Sequence, residues 1–143
     1  MNSKRRYPRT CTTAPVPSQQ EEEQAKRFEP APGVFTLFIV RRRWADAVNQ
    51  VDISVDDVGP VTTVPQSFIQ ARLASGRHQL ALSWEGAQAV LEVEGVAGEV
   101  RFVELAGSTW FWGSRYRWVA NDQEGARARA RASRLIAVMD LAH

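Results

Sequence analysis

The sequence predicts a mainly β fold, a small antiparallel β-sandwich of about seven strands with one C-terminal α-helix. Three observations predict it. Short runs of alternating apolar and polar residues recur at intervals of roughly ten residues, as they do in small sandwiches. Residues that favour turns separate these runs. The segment from residue 122 to residue 141 changes to an alanine- and arginine-rich composition that is typical of a helix.

Seven segments are predicted as strands. The segment 34–40 is apolar and rich in β-branched and aromatic residues, which is typical of a central strand covered on both faces. The segment 51–55 alternates as a half-buried strand does, and residues 56–60 have the composition of a turn. The other five predicted strands are 67–73, 78–84, 89–93, 98–105 and 110–119.

The C-terminal helix is predicted over residues 122–141. Asn121 or Asp122 can cap its first turn, and Glu124 follows Asn121 at the spacing of a capping box. Alanine and arginine are strong helix formers and poor strand formers, so a helix is preferred although the two residues alternate. The predicted buried face of this helix consists of Ala128, Ala132, Leu135, Ile136 and Met139.

The chain of 143 residues is long enough for one domain with a tail. Residues 1–32 hold five of the seven prolines, a run of glutamines and glutamates, and few aliphatic side chains. Such a segment buries too little apolar surface to offset the entropy lost on ordering. We therefore predict a disordered N-terminal lead over residues 1–32 and a β-sandwich domain over residues 33–143.

The net charge is only +2, but the arginines stand in blocks. The last block comprises Arg127, Arg129, Arg131 and Arg134. Such blocks are usually solvated surface, and the alternative is binding to nucleic acid or anionic lipid. The sequence has neither an apolar stretch long enough to cross a membrane nor the apolar region of a signal peptide. Read literally, it therefore predicts a cytoplasmic protein without a transmembrane segment.

Residues with catalytic chemistry are scarce. His78 is the only candidate general base, because the other histidine is the last residue, and the alternative is a structural histidine or a pH-sensitive contact. The single cysteine, Cys11, can form neither an internal disulfide nor a metal cage. No glycine-rich phosphate loop precedes a helix. We therefore predict no enzyme activity, no cofactor and no metal site.

The predicted strand 110–119 is the most distinctive segment. Its three tryptophans and its tyrosine would share one face, and two arginines stand among them. If that face is exposed, it could stack sugars or bases. If the C-terminal helix covers it, the same residues are core. The candidate binding residues are Trp110, Trp112, Arg115, Tyr116, Arg117 and Trp118.

Five motifs occur in an order and spacing that resemble a family of bacterial domains. They are Ala25–Phe28 with the prolines that follow, Phe38–Arg41, Val51–Asp57, Ser75–His78 and Gly98–Val103. The family has no assigned function, usually occurs in small envelope lipoproteins, and is related in pattern to the short sandwich modules of the PEGA type. The chain departs from it in two turns: Asp56-Asp57-Val58 replaces Asp-Gly, and Ser75 replaces a proline.

The resemblance implies a role for Cys11. Mature lipoproteins of this kind open with a lipidated cysteine followed by small polar residues and prolines, as in Cys11-Thr12-Thr13-Ala14-Pro15. The residues 7–10 do not form the small, apolar motif that lipidation requires. Cys11 is therefore either a lipidation remnant or an incidental cysteine in a tail.

Two functions are consistent with these observations. The resemblance implies a non-catalytic, envelope-associated β-sandwich module that binds a protein partner or a glycan. The alternative is a cytoplasmic nucleic-acid-binding module that uses the arginine-rich C-terminal helix and the aromatic strand, although such modules usually carry a larger basic excess than +2.

Overall fold

The computed structural model describes residues 16–42, 50–110 and 113–142. These residues form nine strands and two helices. In chain order they are α1 (Gln19–Ala25), β1 (Phe35–Arg41), β2 (Val51–Val55), β3 (Val58–Thr63), β4 (Ser67–Leu73), β5 (Gly76–Trp84), β6 (Ala87–Gly95), β7 (Val100–Trp110), β8 (Gly113–Val119), α2 (Gln123–Arg131) and β9 (Arg134–Leu141).

The strands form two sheets, which confirms the prediction of a mainly β, two-sheet fold. The five-stranded sheet has the order β8-β7-β1-β4-β9, and the four-stranded sheet has the order β3-β2-β5-β6. Five strand pairs are antiparallel, as expected, but β1 pairs with β7 and β4 pairs with β9 in parallel. Parallel neighbours need a long connection, and here the chain builds other strands before it returns to the five-stranded sheet.

The five-stranded sheet is covered on both faces, so the molecule has two cores. The core between the sheets includes Phe35, Leu37 and Ile39 of β1. The alternate residues of β1 face a second core under the helices, and β1 is buried along its whole length. This agrees with the central strand predicted there. The second core consists of Ala25, Phe28, Phe38, Val40, Phe68, Phe102, Ala126, Ala130 and Leu135.

The first helix corrects part of the predicted disordered lead. Within the predicted lead 1–32, residues 16–32 are described, and Ser18 forms a capping box with Glu21 at the start of α1. Ala25 is buried, and the buried ring of Phe28 contacts the rings of Phe38 and Phe102 edge to face, with centroid distances of 5.1 and 5.2 Å. One aromatic anchor thus offsets the ordering cost of a polar segment. Cys11 lies outside the described residues.

The second half of the predicted C-terminal helix is a strand. Asp122 caps α2 by accepting a hydrogen bond from the Gly125 N–H, and α2 ends at Arg131. The buried helical residues are Ala126 and Ala130, not the predicted Ala128 and Ala132, which are exposed. The segment that follows contains Ile136 and Val138, whose β-branched side chains favour a strand, and it forms β9, which pairs with β4.

Two further boundaries differ from the prediction. Only Asp56 and Asp57 form the turn predicted over residues 56–60, since β3 begins at Val58. Pro60 is compatible with β3 because β3 is an edge strand, where an outward N–H is not needed. Trp110 ends β7, and β8 begins at Gly113, so the predicted strand 110–119 joins parts of two strands.

Candidate functional site: the groove beside strand β6

The structure places the predicted aromatic site partly in the core. Tyr116 is buried between the sheets, where its ring lies 5.3 Å from that of Trp84 and 5.6 Å from the Arg41 guanidinium carbon. Trp118 is half-buried against the same core. Trp112 lies outside the described residues. Of the two alternatives for this strand, exposed binding face or core, Tyr116 and Trp118 therefore fit the core.

The two arginines of this strand point the other way. Arg115 and Arg117 alternate with Tyr116 along β8 and are exposed on the face of the five-stranded sheet that also carries α2. Within the described residues, no carboxylate lies within salt-bridge distance of either guanidinium. They are not brought together with the aromatic side chains described for this strand.

The edge strands β6 and β8 lie on the same side of the sandwich, and Trp118 closes the gap between them along the first half of β6. The two sheets end there on these two strands. The Trp118 indole N–H crosses from β8 and donates to the carbonyl of Ala89 on β6, at 3.1 Å. This bond holds the two sheet edges together beside the first half of β6.

The other half of this side is open because β8 is shorter than β7. The last residue of β8, Val119, pairs with Glu104, so residues 100–103 of β7 pair with β1 on one side and have no described strand on the other. The side chain of Gln123 takes the place of a neighbouring strand at Phe102. Its amide oxygen accepts from the Phe102 N–H at 2.8 Å, and its amide nitrogen donates to the Phe102 carbonyl at 2.7 Å.

The resulting gap is a shallow groove of about 730 Å³. Its apolar floor includes Val93, which is buried, and Leu91 and Val100, which are half-buried. Three carboxylates and one guanidinium lie on its lining. These groups belong to Glu92, Glu94, Glu99 and Arg101.

In the described part of the chain, no strand pairs with the side of β6 that faces this groove. Gln79 of β5 exchanges two 2.8 Å hydrogen bonds with Asp56, one through its carbonyl and one through its N–H, so both groups point away from β6. Backbone directions alternate along an antiparallel strand, so Leu80 and its partner Leu91 bond to each other. The N–H and C=O groups of Val90, Glu92 and Glu94 therefore point out of the sheet.

Two contacts at the end of β6 agree with this alternation. The Val96 N–H, which continues the outward set, donates to the Glu99 carboxylate at 3.1 Å. The Ala97 N–H, on the inward side, donates to the Ser75 hydroxyl at 2.8 Å. Glu99 is also bonded by Arg101, and these hydrogen bonds lower the pKa of Glu99. The lowered pKa keeps the Glu99 carboxylate ionised at neutral pH.

The candidate base His78 is part of a turn-to-turn contact. Its Nδ1 lies 2.6 Å from a carboxylate oxygen of Asp56, and its Nε2 lies 2.7 Å from the carbonyl of Ala74. Both partners only accept, so the ring bonds both of them only as an imidazolium. Burial opposes this charge, but the Asp56 and Ala74 hydrogen bonds outweigh it and raise the pKa of His78. The ring holds two turns together.

A buried ion pair anchors α2 at the row where β8 ends. Glu104 is 1% exposed, and both of its oxygens accept from Arg129 of α2 while one also accepts from Arg42. Burial alone would raise the pKa of Glu104, but the two arginines reverse this and lower it. Both carboxylate oxygens of Glu104 are thus paired, and the ion pair with Arg129 holds α2 on the sheet.

No metal-binding cluster occurs among the described residues. None of the helices in the described ranges is long and apolar enough to cross a membrane. Comparisons with protein-family models, curated proteins and solved structures give no match to this chain. The resemblance to envelope lipoprotein domains, and the Cys11 remnant that it implies, stay predictions.

The groove was missed at the level of sequence. The alternation of residues 89–93 identifies a strand, but not that this strand is an edge or that a neighbour stops short beside it. Nothing in the sequence around Gln123 indicates its role, because that role depends on the N–H and carbonyl of Phe102, which no strand pairs on that side.

Proposed function

We propose that this chain is a non-catalytic binding module that receives an extended segment of a protein partner along strand β6. The observation that carries the proposal is the pair of residues Glu92 and Glu94, whose N–H and C=O groups point outward beside an open groove. An added strand would satisfy these groups with main-chain hydrogen bonds, which is a recurring mode of peptide recognition.

The shape of the groove supports an extended peptide rather than a compact small molecule. Sites for small molecules are concave and bury most of the ligand surface. This groove is shallow and runs beside a strand of nine residues. Leu91 and Val93 lie on one face of that strand, where alternate residues of an added strand would meet them. A peptide in this position would continue the four-stranded sheet into the gap left by β8.

The protein-binding proposal agrees with the first function that the sequence predicts, and it narrows the partner from a protein or a glycan to an extended peptide. Tyr116 is buried, so its ring offers no face to a sugar, and the indole N–H of Trp118 is already bonded to Ala89. Location in the cell envelope remains part of the proposal through the family resemblance alone.

The arginines support a second candidate function, binding to a nucleic acid. Arg115 and Arg117 on β8 and Arg127 and Arg131 on α2 are exposed on the same side of the molecule. The last two lie over the Phe28 ring, at 5.2 and 5.6 Å, so part of their role is packing. Loss of single-stranded DNA binding in Arg115→Ala/Arg117→Ala, with a salt slope reduced by about two, would support this candidate.

The proposed function is tested by removing one outward N–H of β6. Selection of a phage-displayed library of nine-residue peptides on the full chain supplies the probes. Glu92→Pro removes the N–H that points into the groove, while Glu92→Ala removes the same side chain and retains the N–H. We expect the selected peptides to bind Glu92→Pro about tenfold more weakly than Glu92→Ala.

Equal binding to these two variants, or a library from which no peptide is enriched, would contradict strand addition at β6. Circular dichroism and urea unfolding of both variants provide the folding control. Proline is tolerated at an edge strand position whose N–H points outward, so both variants should remain folded.

A further inference from the structure

The two sides of β6 differ in chemistry, and this difference bears on what kind of peptide the groove accepts. Glu92 and Glu94 are exposed on the outer face of the four-stranded sheet, while Leu91 and Val93 face the core. A strand added beside β6 would place its own side chains alternately next to these two sets. Its sequence should therefore alternate as well.

The outer side of the added strand would meet negative charge. The nearest cation on β5, Arg77, lies 3.7 Å from Glu94 in a pair whose side chains are 70% and 68% exposed, so it neutralises Glu94 only weakly. Glu92 has no salt-bridge partner among the described residues. Opposite charges directly across a strand pair are favourable, and like charges are unfavourable.

The inner side of the added strand would meet apolar surface. Leu91 is half-buried and Val93 is buried, and both pack on the core between the sheets. Aliphatic side chains on this side would extend the core between the sheets to the end of the gap. A polar side chain placed against Leu91 and Val93 would lose water without gaining a partner from them.

From this complementarity, and resting on the proposed function, we infer that the partner of β6 is an extended peptide segment in which basic and aliphatic residues alternate. The same charges disfavour a second copy of this chain as the occupant. Pairing β6 with another β6 would bring the glutamates at 92 and 94 of both copies together across the new strand pair, where like charges repel.

The test uses three synthetic nine-residue peptides and the full chain. In the first peptide lysine and valine alternate, in the second glutamate and valine alternate, and the third has the lysines and valines of the first in two separate blocks. Binding is measured by fluorescence anisotropy at low salt. We expect the first peptide to bind about tenfold more tightly than either of the others.

A charge-reversed variant makes the assignment specific to β6. In Glu92→Lys/Glu94→Lys, the preference should invert, so that the glutamate–valine peptide binds more tightly than the lysine–valine peptide. Glu23→Lys/Glu29→Lys is the matched control, because it changes the net charge equally at exposed positions far from β6 in the chain. The control should retain the original preference.

The outcomes separate this inference from the proposed function. Equal affinity of the lysine–valine and glutamate–valine peptides, with both weakened in Glu92→Pro, would overturn the inference and leave strand addition in place. Binding of the lysine–valine peptide that is unchanged in Glu92→Pro relative to Glu92→Ala would overturn both. Failure of the lysine–valine peptide to bind, while library-selected peptides still respond to Glu92→Pro, would overturn the inference alone.

Discussion

The side of the sandwich formed by β6 and β8 has two halves that end differently. Beside Ala89, the indole of Trp118 bridges the two sheets and closes the edge. Beside Leu91 to Val96, β8 has already ended, and only the side chain of Gln123 stands where a strand would be. The closed half shows how a sandwich protects an edge with one large side chain. The open half leaves backbone groups available for a partner.

The largest expected effect on stability comes from Glu104, which pairs with Val119 at the end of β8, where the closed half ends. Glu104→Gln removes the buried charge that Arg129 and Arg42 share, and we expect a loss of about 3 kcal/mol in the free energy of unfolding at pH 7. Urea unfolding measures it. Glu99→Gln, which breaks the more exposed pair with Arg101, should cost less than about 1 kcal/mol.

This contribution depends on pH in a defined direction. Because the pKa of Glu104 is lower in the folded chain than its ordinary value, its stabilisation is complete above that ordinary value and is lost as the pH falls through the folded pKa. The difference in stability between the natural chain and Glu104→Gln should therefore shrink as the pH is lowered from 7 to 3. A difference that stays constant would contradict the pairing.

Trp118 is expected to have the next largest effect. Trp118→Ala removes a half-buried ring from the core and the bridge to Ala89, which we expect to cost about 2 kcal/mol. Trp118→Phe retains most of the packing and loses the indole N–H, and it should cost about 1 kcal/mol. If urea unfolding shows equal stability for Trp118→Phe and the natural chain, the bridge does not close this half.

Gln123 should matter less, because it holds a single residue of β7. Gln123→Ala leaves the N–H and carbonyl of Phe102 without their partner, at an expected cost of about 1–2 kcal/mol. Gln123→Glu retains an acceptor for the N–H and loses the donor to the carbonyl, so its stability should lie between those of the other two chains. Thermal unfolding of the three chains at one pH tests this order.

The smallest effect is expected at His78, which pairs with Val93 on the open half. The raised pKa of His78 means that its contribution is fully present below its ordinary pKa and is lost as the pH rises through the folded value. We expect about 1 kcal/mol between pH 6 and pH 9. The stability of His78→Gln should lack this component, and an identical pH profile for the two chains would contradict the imidazolium contact.

Several strands could be predicted because the order of apolar and polar residues within each strand matches which of its faces are buried. β2 and β4 have the bounds expected from alternation, and β1 is buried on both faces as its apolar composition indicates. β3 was missed because Gly59 and Pro60 suggest a turn wherever they occur, while an edge strand tolerates them. β9 was missed because its pairing with β4 outweighs the helical pattern that precedes it.

The candidate site could not be predicted for a related reason. An open edge is a property of strand order and of the relative lengths of neighbours, and both depend on pairings between residues far apart in the chain. Nothing in Glu92 or Gln123 indicates that β8 stops at the row of Glu104. The helix α1 could not be predicted for the same reason. Its polar segment is held by Phe28, whose ring contacts three phenylalanines of the sheet that are distant in the chain, Phe38, Phe68 and Phe102.

Backbone amide hydrogen exchange along β6 tests the central claim most directly. In the free chain, the amides of Glu92 and Glu94 should exchange much faster than those of Leu91 and Val93, which bond to β5. A bound library-selected peptide should slow the amides of Glu92 and Glu94 at least tenfold and leave their two neighbours unchanged. Protection of all four amides in the free chain, or no change on peptide binding, would contradict the account.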